Sequence, residues 1–246
     1  MDHIKGVFFD LHGTILLSDD IDGAWDRWAR AFHAALEEKG AEISFDGFKA
    51  VLQNLFEGPV PDIHEAGFTL FMKRVKVLGE SIGLDLPKEE VRPLVDTIIK
   101  VWHQGMYLDE EAVPIIERLK EKYKVGLVTN WEHTPRIYEL LGELGAEELF
   151  DCVVVSDSVG HAKPDPRVFN PAFNLTDVKA EESLYVGDMD VDIEGAINAG
   201  MQPVLIKRVD ANGDWDQFSE KSVCSYSDDQ YILIQRLSQL LDLLNC

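Results

Sequence analysis

Val7-Phe8-Phe9-Asp10-Leu11-His12-Gly13-Thr14 is an apolar run that delivers a carboxylate into a glycine-threonine turn. Aspartate is disfavoured in strands and costly to bury unless a cation or hydrogen-bond donors meet it. At the end of such a run it marks either a turn cap or a functional carboxylate, and the run alone leaves both open. Outward from it, short β-branched and aromatic runs alternate with helical patterns. Residues 4–9, 125–129, 152–156, 183–187, 203–207 and 231–234 read as strands. The alternation predicts an α/β fold, a parallel sheet with helices packed on it. Each of the first four strands ends in a polar or glycine-containing segment, and open α/β sheets bind ligands at the carboxyl ends of their strands.

From about 19 to 105 the alternation stops and only helical periodicity remains. Trp25, Trp28, Phe32 and Leu36 recur at three- and four-residue steps until Gly40 interrupts them. Phe45, Phe48, Leu52 and Phe56 repeat the pattern, as do Phe68, Phe71, Met72, Val75 and Leu78. Val91, Leu94, Val95, Ile98, Ile99 and Trp102 form a fourth stripe. Four amphipathic helices packed on one another are expected here, with the aromatics as their core. The expected division is a core of residues 1–16 and 108–246 and a helical cap of 17–107. Leu237, Leu240, Leu241 and Leu244 predict a short closing helix, and residues 211–230 read as a loop or irregular connection.

Three further segments follow predicted strands. Thr129-Asn130 ends one with a hydroxyl and an amide, groups that bind anions but also form turns. Lys163 stands before the rigid Pro164-Asp165-Pro166, ahead of a helix expected at 167–173. Lysine is a point charge for a phosphate or a carboxylate, although most lysines are simply solvated. Gly187-Asp188-Met189-Asp190-Val191-Asp192 puts three carboxylates within five residues. They repel one another unless a cation intervenes, and hard cations such as Mg2+ seek such oxygens. Acidic residues also favour a helix N-terminus without any metal.

Composition narrows the function. Of the 246 residues 46% are apolar and 28% charged, which is globular rather than disordered. A formal net charge of −22 excludes nucleic acid and anionic membrane surfaces as natural partners. It does not exclude a small anion, because a local cation reverses the field within one cleft. No stretch is long enough to span a bilayer, and the run at Val7–Phe9 is too short for a signal-peptide core. Cys152, Cys224 and Cys246 are odd in number, widely spaced and without a metal-ligand pattern. Thiols in a reducing compartment account for them, so a cytoplasmic location is expected.

In this order and spacing the four segments resemble the motifs of the haloacid dehalogenase superfamily. Asp10-Leu11-His12-Gly13-Thr14 is similar to its first motif, Thr129 to the second, Lys163 to the third and Gly187-Asp188…Asp192 to the fourth. The insertion resembles the cap of the subgroup with phosphoglycolate phosphatases and haloacid dehalogenases. The resemblance implies a Rossmann-like core and a Mg2+-dependent hydrolase of a small phosphorylated metabolite. It implies Asp10 as nucleophile and Mg2+ held by Asp10, the backbone carbonyl of His12 and Asp188. Thr129 and Asn130 would meet the phosphoryl group, Lys163 would neutralise charge, and Asp192 would orient Lys163. The sequence departs from the family at His12, where phosphatases usually carry a second aspartate as acid and base. Imidazole serves both roles around its ordinary value of about 6.5. Two alternatives stay open: a dehalogenase-type carbon–halogen hydrolase, and a regulatory relative that binds Mg2+ and phosphate without turnover. Arg27, Arg30, His33, His64, Lys73, Arg74 and Lys76 are candidate substrate selectors in the cap. Oligomeric state is not legible.

Overall fold

In the computed structural model, residues 1–208, 226, 227 and 229–246 are described. The expected loop at 211–230 lies almost wholly outside them. The strands in chain order are β1 (Gly6–Phe9), β2 (Leu16–Leu17), β3 (Tyr107–Leu108), β4 (Lys124–Thr129), β5 (Cys152–Val155), β6 (Ser183–Gly187), β7 (Gln202–Ile206) and β8 (Ile232–Ile234). Six of them form one sheet in the order β5-β4-β1-β6-β7-β8, with every pair parallel. All residues of β1 and β6 are buried. A strand covered on both faces tolerates apolar side chains at successive positions, hence Val7-Phe8-Phe9 without alternation.

The connectivity fixes where a ligand can bind. From β1 the chain builds outward through β4 and β5, then returns to the other side of β1 with β6, β7 and β8. The strand order therefore reverses at β1, and a crevice opens beyond the carboxyl ends at such a point. Phe9 lies opposite Leu127 on one side and Val186 on the other. Asp10, Thr129 and Asp188 consequently leave the sheet along the same edge.

The described residues divide into two compact units. The first holds 1–19, 106–131 and 137–246; the second holds 20–105 and 132–136. In the second, α1 (Ile21–Glu38), α2 (Phe45–Glu57), α3 (Leu70–Ser81) and α4 (Lys88–Trp102) match the four apolar stripes. The side chains of Asp20, Ser44 and Thr69 cap α1, α2 and α3 by accepting from the amides of Gly23, Gly47 and Met72. Phe32, Phe48, Phe71 and Trp28 are buried and pack edge-on or tilted around one another. Residues 132–136 also belong to this unit, although they follow β4 in the chain.

In the first unit, α5 (Ala112–Lys120), α6 (Thr134–Glu143), α7 (Ser156–Val159), α8 (Asn170–Thr176), α9 (Asp190–Ala199) and α10 (Gln239–Leu244) accompany the sheet, although α6 begins within the second. Phe8, Val128, Cys152, Val154, Phe169 and Tyr185 form a buried cluster on it. The helix expected at 167–173 is a 3-10 turn, Pro166–Phe169, that runs into α8. Asp165 caps that turn by accepting from the Arg167 amide, so the proline-flanked segment enters the helix through a tighter coil. The antiparallel ribbon of β2 and β3 is too short to leave any periodicity in the sequence. Among the described residues no helix is long and apolar enough to cross a membrane.

Candidate active site

The turn after β1 is wound tightly by one carbonyl. Leu11 O accepts from the amides of Thr14, Ile15 and Leu16 at 3.3, 3.0 and 2.8 Å. Gly13 adopts φ +78°, and a Cβ there would stand 2.3 Å from an Asp188 carboxylate oxygen. Glycine is needed twice over, for its left-handed backbone and for the closeness of Asp188. The Thr14 hydroxyl donates to Asp188 Oδ1 at 3.0 Å. First and fourth segments, 174 positions apart, are thereby locked together.

Lys163 gathers the rest. Its ammonium lies 2.5 Å from Asp10 Oδ1, 2.7 Å from Asp192 Oδ1 and 2.8 Å from the Tyr185 hydroxyl. Burial works to strip its proton, but the charges of Asp10 and Asp192 outweigh it and hold the ammonium well above the usual lysine range. The second oxygen of Asp192 accepts from the amides of Asp188 and Met189 at 3.1 and 3.0 Å, so this carboxylate ties the α9 N-terminus to the lysine. Asn130 reaches Lys163 through the backbone: its amide nitrogen donates to the Lys163 carbonyl at 3.0 Å, and its oxygen accepts from the Lys163 amide at 2.8 Å. Sequence reading set Asn130 beside the substrate; both ends of its side-chain amide are bonded here to the Lys163 backbone.

Carboxylate oxygens of Asp10, Asp188 and Asp192 lie within 4.8 Å of one another, and all three residues are buried. Burial, with the charges of Asp192 and Asp10 added, pushes the Asp188 carboxyl well above its usual range. Three buried carboxylates gather beside the ammonium of Lys163, a crowding of negative charge that suits a divalent cation held by oxygen ligands. Thr129 adds a second opening for a ligand. Its hydroxyl is buried without a hydrogen-bond partner among the described residues, an arrangement proteins rarely leave unfilled.

His12 is half-buried and stacks on Trp131, with centroids 4.8 Å and planes 20° apart. Burial first, and the Lys163 charge second, lower its imidazole to about 3. The ring is therefore neutral at physiological pH in this state, not poised near its ordinary value. Trp131 is itself pinned, its amide donating to Ser156 Oγ at 3.0 Å. Sequence reasoning passed over Trp131 and Tyr185, since an aromatic at a strand end or within a buried strand reads as core. Thr14 stood in the quoted run, but nothing there marked its hydroxyl as a partner for Asp188.

In the second unit, the cap residues proposed as selectors divide. Arg74 is buried, its Nε donating to both oxygens of Glu132 at 3.0 and 2.8 Å. That makes it part of the framework and not a selector. Arg27 and Arg30 are exposed and paired with Asp20 and Asp26 on their own helix end and face.

Comparison with known proteins agrees with this geometry. The family profile described as haloacid dehalogenase-like hydrolase matches residues 4–200. The chain is 32% identical over 214 residues to a glyceraldehyde 3-phosphate phosphatase of Methanopyrus kandleri, covering 83% of this chain and 84% of that one. Its fold is similar to a phosphatase of Thermococcus onnurineus, with a TM-score of 0.64, 24% identity and 98% of each chain covered. It is also similar to a 2-haloacid dehalogenase of Pseudomonas syringae, with a TM-score of 0.69, 23% identity and 98% of each chain covered. At these identities the two structures speak for the fold alone.

Proposed function

The chain belongs to the haloacid dehalogenase-like hydrolase family, and on that premise we propose that it is a Mg2+-dependent phosphatase of small phosphorylated metabolites, acting through Asp10. The observation that carries this reading is the buried cluster of Asp10, Asp188 and Asp192, in which Asp10 and Asp192 share the Lys163 ammonium. Asp10, Asp188 and the backbone carbonyl of His12 would hold the ion. Bound there, Mg2+ supplies Lewis-acid polarisation of the phosphoryl oxygens.

The protein's own groups do the rest. Lys163 occupies one oxygen of Asp10, which leaves the other to attack. A bond forms from that oxygen to phosphorus as the ester oxygen departs and takes its proton from water. The orphaned Thr129 hydroxyl donates to a phosphoryl oxygen, and Lys163 offsets the charge on the transferring group. A second water then attacks phosphorus, the bond to Asp10 breaks, and the neutral His12 imidazole accepts that water's proton and passes it to the hydroxide left by the first. Asn130, Tyr185 and Asp192 hold Lys163 in place throughout.

The relative from Methanopyrus kandleri is named for glyceraldehyde 3-phosphate, so three-carbon phosphates head the substrates to be tried. The buried thiol of Cys152, pushed up to about 11 mainly by burial, suits a reducing cytoplasm. Phosphate release from a panel of phosphorylated metabolites, with Mg2+ and with excess EDTA, tests the proposal. Release that requires Mg2+ supports it. Undiminished release in EDTA, or binding without release across the panel, would count against it.

A further inference from the structure

We propose that Arg208 and Asp109 form a clamp that positions the turn after Asp10 and, through it, the cation site. This rests on the reading of that site given above. Arg208 lies just past β7, in none of the four motif segments, and its side chain is 12% exposed. Its guanidinium grips two consecutive backbone carbonyls: Nη1 donates to Gly13 O at 2.8 Å and Nη2 to Thr14 O at 2.5 Å. The other side of the fork donates to Asp109 Oδ2, from Nε at 2.9 Å and Nη2 at 2.7 Å. Asp109 is anchored in turn. Its other oxygen accepts from the Glu111 amide at 2.8 Å, and its own amide donates to Ile15 O at 2.9 Å.

A buried carbonyl needs a donor, but water or a lysine would meet that need. A planar guanidinium shared between a carboxylate and two carbonyls does more, because it fixes direction as well as distance. The two gripped residues are those that set Asp188. The Thr14 hydroxyl holds Asp188 Oδ1, and the Gly13 backbone is packed so closely on that carboxylate that no side chain fits between them. The carbonyl of His12, assigned above to the ion, is one residue upstream. Any shift of the turn therefore moves two of the three proposed ligands together. Neither Arg208 nor Asp109 is assigned a place at the reacting atoms, so both are positioning residues.

The test uses the full chain with Arg208→Lys, Arg208→Met and Asp109→Asn. Melting in EDTA reports the fold, calorimetric titration with Mg2+ alone reports the site, and steady-state rates report turnover. The Arg208 variants should bind Mg2+ about tenfold more weakly, the lower end of what losing a supporting shell costs. Turnover should fall with it, while KM at saturating Mg2+ stays unchanged. Asp109→Asn should move in the same direction by less, since its carboxamide oxygen still accepts from the guanidinium. Should Arg208→Met fail to fold, the other two variants decide. Folded variants with wild-type Mg2+ affinity, lowered melting alone among them, would overturn the clamp, as would a wild-type chain that binds no Mg2+. A wild-type chain that binds Mg2+ but releases no phosphate would defeat the proposed function and leave the clamp to the titration.

Discussion

Between Asp10 and Gly13 the chain places an imidazole, stacked on Trp131 and lowered to about 3 by burial and by the Lys163 charge. A ring so depressed has no proton to give a leaving group at neutral pH but remains free to accept one from water. The two halves of the usual acid/base role are thus separated by surroundings, not by residue type. His12→Ala should slow turnover by about tenfold, less than the about 10²–10⁴-fold of an acceptor matched to the working pH, because a ring lowered to about 3 is a weak base, with Mg2+ affinity little changed. At saturating Mg2+, kcat/KM should show no fall from protonation of His12 between pH 8 and 5, because that protonation begins only far lower. An acid limb near the ordinary histidine value that vanishes in His12→Ala would contradict this. Asp10, Lys163, Asp188 and Asp192 were legible because a strand-end charge in an apolar run stands out by its cost. Trp131 and Tyr185 were not, because their partners His12 and Lys163 lie far off in sequence.

At the scale of elements, residues 132–136 are held in the second unit by buried polar contacts. The Phe71 amide donates to Glu132 O at 2.9 Å, and His133, 1% exposed, sits 2.8 Å from Thr69 Oγ1 and 3.0 Å from Asp96 Oδ1. Arg74 binds the Glu132 carboxylate and also donates to the carbonyls of Leu55 and Gly58 at 2.7 and 3.3 Å. Arg74→Met would leave all three acceptors short of a donor, and breaking such a pair from one side costs about 3–5 kcal/mol. Urea unfolding followed by tryptophan emission should show that loss, and Arg74→Met/Glu132→Gln should recover part of it. An Arg74→Met midpoint equal to wild type would refute the idea that this contact holds the segment. The four helices were readable from their stripes, since each carries its own period and the first three their own caps. The attachment of 132–136 was not, because hydrogen bonds across some 60 positions leave no local pattern.

Taken whole, the chain carries a formal charge of −22 around a sheet whose switch point collects three buried carboxylates. Without metal, Asp188 keeps its proton well above the usual carboxylate range. The folded state then binds a proton that the unfolded chain has already lost, so this group's stabilisation is full at low pH and fades as pH rises through the raised value. Mg2+ requires the ionised carboxylate, so the ion must displace that proton and binds better as pH rises. The difference in melting temperature between Mg2+ and EDTA should therefore widen from pH 5 to pH 8. A difference independent of pH would mean that Asp188 is not a ligand.

A covalent phosphoryl group on Asp10 is caught by acid quench during turnover of the best substrate, followed by peptide mass mapping. One phosphoryl group is expected on the peptide containing Asp10, absent from Asp10→Asn, which should stay folded and inactive. Rapid turnover with no phosphoryl group on that peptide, or an active Asp10→Asn protein, would contradict it.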